Sequence, residues 1–111
     1  MSFFARQKAV VHVEGVVNID SVLENCMLPL MHAGKRPVYL DFRKLRSITQ
    51  TALNTLSKCY HALKNQGVIC IFKNAPDEVA QYLIGEKKVD ENHVREIRWN
   101  SKASLCYERG L

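Results

Sequence analysis

Apolar and polar positions alternate from Lys8 to Glu14, where Val11 and Val13 interleave with His12 and Glu14 after Ala9 and Val10. A period of two predicts a strand with one buried face, ended or bent by Gly15. The preceding Phe3-Phe4-Ala5-Arg6 has the composition of a further short strand. From Asp20 to Ala33 the spacing changes to three and four. Val22, Leu23, Cys26, Met27 and Leu30 fall on one helical face, Asn18 or Asp20 is placed to cap the start, and Gly34 follows the end. Pro29 lies inside that pattern, lacks an amide hydrogen and crowds the carbonyl four residues earlier, so a kink or early stop is predicted between Met27 and Pro29.

The segment Arg36 to Gln66 joins a strand, a basic turn and an amphipathic helix. Pro37-Val38-Tyr39-Leu40-Asp41-Phe42 reads as a central strand with proline at its first position. The helix carries Ala52, Leu53, Leu56, Cys59, Ala62 and Leu63 on one side, with Asn54, Ser57, Lys58, His61 and Lys64 facing away. Between them, Arg43 to Thr51 is predicted to be a turn whose threonines accept from the unpaired amides of the helix start. Val68 to Phe72 is nearly continuous in apolar character, as in a strand covered on both faces. Asn74 to Gly85 has a helix start at Pro76-Asp77-Glu78 and a stripe of Val79, Ala80, Leu83 and Ile84. Glu86 to Asn92 is a charged loop without an evident core role. A last strand is predicted over Val94 to Trp99 and a short final helix, capped by Asn100 or Ser101, through Leu105 and Cys106.

Helices between successive strands call for parallel pairing and right-handed crossovers. The expected fold is α/β, a small mixed, mainly parallel β-sheet with crossover helices, in one domain spanning 1–111. With 111 residues and 47% hydrophobic content the chain suits one core. No apolar run reaches membrane-spanning length, and Met1 to Lys8 lacks a secretory core, so a cytoplasmic protein is expected. Cys26, Cys59, Cys70 and Cys106 are far apart and have neither zinc nor redox spacing.

The net charge of +5 favours acidic partners. Lys35, Arg36, Arg43, Lys44 and Arg46 account for much of it within a dozen positions. Hydrolase, phosphate-loop, dinucleotide and zinc-protease motifs are absent, and His12, His32, His61 and His93 are scattered, so neither catalytic residues nor a metal or cofactor is expected. The basic residues lack interleaved exposed aromatics, since Tyr39 and Phe42 belong to the core strand, which argues against nucleic acid. The site with a physical rationale is the start of the second long helix, where free amides and a partial positive charge lie near Arg43, Lys44 and Arg46. Thr49 and Thr51 are candidates there for capping, anion binding or phosphorylation.

The ordered set of these segments resembles the STAS family, the sulfate transporter and anti-sigma factor antagonist modules. Val13-Glu14-Gly15-Val16-Val17-Asn18 resembles that family's strand and glycine leading to the first helix. Val38-Tyr39-Leu40-Asp41-Phe42 resembles its Val-x-Leu-Asp-Leu strand, and Ser47 to Leu53 falls where the family has Ile-Asp-Ser-Ser/Thr-Gly-Leu. Ala75-Pro76 and Ser101 to Leu105 also fit. The resemblance implies protein binding without catalysis. Its switching serine corresponds to Gln50, which accepts no phosphate, and the two acidic positions correspond to Thr49 and Asn18.

The expected function is a STAS-like regulatory interaction module not controlled by phosphorylation at the usual position. Its protein partner, an anti-sigma factor-like protein or another regulatory or transport-complex subunit, would contact Arg43, Arg46, Thr49, Gln50, Thr51 and Asn54. Thr49 and Thr51 remain candidate phosphoacceptors. The alternative is a sensor that binds a nucleotide or another anion through Arg43, Lys44, Arg46 and Thr51.

Overall fold

The computed structural model describes residues 7–108. Strands β1 (Ala9–His12), β3 (Val38–Asp41), β5 (Cys70–Lys73) and β6 (Val94–Arg95) form a four-stranded sheet in the order β1-β3-β5-β6. Strands β2 (Gly15–Val17), β4 (Leu45–Thr49) and β7 (Ser104–Cys106) form a second sheet in the order β2-β4-β7. Every pairing between these strands is parallel. The α/β class and the parallel connections are therefore as expected, but the strands form two short sheets instead of one. The segment Phe3 to Arg6 lies outside the described residues.

The division occurs where the chain bends. Gly15 takes φ +77° at the first position of β2, a conformation that strains any residue with a Cβ. A tight turn after Phe42, closed by the Leu45 amide on the Phe42 carbonyl (3.1 Å), separates β3 from β4. Pairing continues across the bends, because the Val13 amide donates to Asp41 and the Gly15 amide to Lys44. The predicted turn from Arg43 to Thr51 is thus mostly strand β4. Its buried Leu45 and Ile48 give a signal too short to recognise beside the charges of Arg43, Lys44 and Arg46.

Register carries the core across both sheets. Val11, Leu40, Phe72 and Val94 are aligned across the first, and Val17, Ile48 and Leu105 across the second. All seven are buried and belong to one cluster with the apolar helix faces. The predicted final helix is β7, because Leu105 completes the second row and its parallel pairing with β4 outweighs local propensity. The strand predicted to reach Trp99 shrinks to β6, with a lone bridge between Pro76 and Arg98 beyond it.

The first helical stretch breaks into α1 (Ile19–Asn25) and α2 (Met27–His32). Asn18 caps α1 in a reciprocal box with Ser21. The break at Cys26 sits just ahead of Pro29, whose ring would meet the Asn25 carbonyl in a continuous helix; in α2 its missing amide falls in a first turn. Leu23, expected inside, is exposed.

Helix α3 (Gln50–Asn65) buries Ala52, Leu53, Leu56, Ser57 and Tyr60. The buried stripe is rotated from the expected one: Ala62 is exposed, Cys59 is half-buried and Ser57 is covered. Ser57 tolerates this because its hydroxyl donates to the Asn54 carbonyl (2.7 Å). Helix α4 (Asp77–Gly85) buries Val79, Ala80, Tyr82 and Leu83, while Ile84 is half-buried. The loop after it has a core role after all. Val89 is buried, the Asp90 amide donates to the Tyr60 hydroxyl (3.3 Å), and His61 Nε2 donates to the Lys87 carbonyl (2.7 Å).

Candidate functional site

Strand β4 runs directly into α3, so Thr49 is both the last strand residue and the helix cap. Its Oγ1 accepts from the Ala52 amide at 3.2 Å. The side chain is half-buried, and Gln50 beside it is also half-buried. Thr51 is exposed, but its amide donates to Glu108 Oε1 at 2.8 Å and its hydroxyl donates to the same oxygen. The first turn of α3 contains no acidic residue. Glu108, from the segment after β7, brings the carboxylate that complements the helix dipole there. The two Thr51 hydrogen bonds hold its pKa below the ordinary glutamate value.

Asn54 does not face away from the protein. It is half-buried, and its Oδ1 accepts from the Tyr82 hydroxyl at 2.7 Å, tying α3 to α4.

The basic residues divide between two cavities. Arg43 and Lys44 are exposed and line one of about 250 Å³ with His12, Glu14 and Asp41. Asp41 Oδ1 accepts from the Arg43 amide and from Asn74 Nδ2, both at 3.0 Å, and His12 Nδ1 is 3.8 Å from Oδ2. Burial alone would raise the Asp41 pKa. The Asn74 and Arg43 hydrogen bonds, with the charges of Arg43 and His12, outweigh it and hold the carboxyl below its usual range.

Arg46 lines a separate cavity of about 460 Å³ with Ser47, Arg98 and Lys102. The four residues expected to gather one anion, Arg43, Lys44, Arg46 and Thr51, therefore have three different surroundings. Sequence reasoning missed Arg98, Lys102 and Glu108. The β4–β7 pairing brings Lys102 and Glu108 near β4 and α3, and the bridge to Pro76 with the bond to the Phe42 carbonyl places Arg98; no local pattern reports contacts between segments so distant in the chain.

Among the described residues, no group of three or more His, Cys, Asp and Glu side chains has metal-site geometry. Every buried side-chain nitrogen and oxygen there has a hydrogen-bond partner. No helix there is long and apolar enough to cross a membrane. Comparison with profiles of known protein families, with curated proteins and with solved structures finds no match to this chain.

Proposed function

We propose that the chain is a non-enzymatic interaction module of the STAS type that binds a protein partner through the start of α3 and the β3–β4 turn at the other end of β4. The observation that carries this reading is the direct passage of β4 into α3 at Thr49. It leaves half-buried Gln50 and exposed Thr51 at one pole, in the stretch that resembles the STAS motif. Arg43 and Lys44 are exposed on the preceding turn and add positive charge suited to an acidic partner. Thr51 is the better placed of the two candidate phosphoacceptors, since Thr49 uses its hydroxyl oxygen as the cap. A phosphoryl group on Thr51 would meet the Glu108 carboxylate and repel it. The same carboxylate counts against a free anion or nucleotide bound to the Thr51 amide.

The test is affinity capture from the source cytosol with the wild-type protein, Gln50→Arg and the loop variant Lys88→Glu, each checked for native circular dichroism. A partner retained by Lys88→Glu and lost by Gln50→Arg is the expected result. Equal capture by all three proteins would remove this surface from consideration.

A further inference from the structure

The cavity of about 460 Å³ beside β4 is lined by Arg46 and Ser47 of that strand, by Arg98, Ser101 and Lys102 of the β6–β7 connection, and by Val16 of β2. We propose that it binds a small phosphomonoester, with the phosphoryl group held by Arg46, Arg98 and Lys102.

Three cations meet here, and among the described residues no carboxylate lines the cavity. Neither ion pair among the described residues, His12–Asp41 or Lys73–Glu96, involves any of them. Asp77 accepts from the Asn100 amide of that connection (3.4 Å) and Glu78 from the Leu105 amide of β7 (2.6 Å), so both carboxylates are held by backbone. Gathering like charges disfavours the empty site, and a dianion relieves that repulsion.

Arg98 supplies a fixed anchor. Its Nε donates to the Asn74 carbonyl and its Nη2 to the Phe42 carbonyl, both at 2.9 Å. Its backbone is pinned as well, the Arg98 amide donating to Ala75 (2.8 Å) and the Asp77 amide to Arg98 (3.1 Å). Neutral carbonyls orient the guanidinium and leave its charge uncompensated. Two of about five donors are engaged, and the others remain for a ligand. Ser101 accepts from the Ala103 amide at 3.2 Å, so its own hydrogen is left to donate. Arg46 and Lys102 are exposed arms able to close over the anion. The volume exceeds that of a phosphoryl group, and Val16, 69% exposed at the rim, offers an apolar contact to the organic part of an ester.

This site is separate from the Gln50–Thr51 pole, so Gln50→Arg should leave its ligand response intact and the two proposals fail independently. The experiment is a ¹H–¹⁵N NMR titration with glucose 6-phosphate and with O-phosphoserine at constant ionic strength. Saturable shifts confined to residues 46–47 and 98–103 are expected. Arg46→Gln and Lys102→Gln should each weaken binding about tenfold, as for loss of one charge-assisted hydrogen bond. Arg43→Gln should not change it.

Affinity should fall as pH drops from about 7.5 to about 5, where the ester loses its second charge. Non-saturating shifts, shifts centred on Arg43 or Thr51, or an affinity unchanged in both Gln variants would overturn the assignment. Binding of a phosphoserine peptide without a response to either free ester would overturn the small-ligand part.

Discussion

Tyr60→Phe tests how α3 is fastened to the loop that follows α4. The Tyr60 ring is 1% exposed and lies 5.6 Å from the ring of Phe72, and the substitution keeps that packing. It removes a hydroxyl that shares a 2.6 Å hydrogen bond with His93 Nδ1 and accepts from the Asp90 amide at 3.3 Å. Leaving buried partners unsatisfied costs about 1–3 kcal/mol per group, but Asp90 and His93 are half-buried and water can reach part of each. A loss of about 1.5 kcal/mol is therefore expected. At an ordinary urea dependence for a chain of this size, the midpoint should fall by roughly 1 M with an unchanged slope. The assay is urea denaturation followed by far-ultraviolet circular dichroism, because the sole tryptophan, Trp99, is exposed and makes a poor fluorescence reporter. A double-mutant cycle with His93→Ala should show coupling between the two sites, with the second substitution costing less after the first. A Tyr60→Phe midpoint within about 0.2 M of wild type would show that the hydroxyl does not fasten the loop.

The Asp41 pKa is lowered in the folded protein, so its contribution to stability is present above the unfolded value of about 3.9 and is lost as pH falls through the folded value. Carboxyl NMR should place its titration below the usual aspartate range, and Asn74→Ala should move it upward; no upward movement would refute the role of the amide hydrogen bond. Cys106 is exposed, whereas Cys26 and Cys70 are buried, and burial foremost pushes the Cys70 thiol up to about 12. Iodoacetamide with mass spectrometry should label Cys106 first and leave Cys26 and Cys70 unmodified until urea unfolds the chain. Early labelling of Cys70 would contradict its position inside β5.

The local elements of this protein were largely legible in its sequence because each depends on neighbours within a few residues. The alternation at Val11 and Val13, the proline behind the α1–α2 break, the Thr49 cap and the acidic start of α4 all belong to this class. The parallel connections were legible too, since helices between strands leave few alternatives. What tertiary structure decided depends on partners far along the chain. Leu105 became a strand residue because β4 offered an edge, Tyr60 went inside because the loop at Asp90 and His93 came to meet it, and Asn54 turned toward Tyr82. The candidate sites divide in the same way. Threonines at a helix start follow from local pattern alone. The Glu108 carboxylate on Thr51 and the meeting of Arg46 with Lys102 follow from the placement of β7 beside β4, a pairing between strands more than fifty residues apart, and Arg98 joins them through its bridge to Pro76 and its bond to the Phe42 carbonyl.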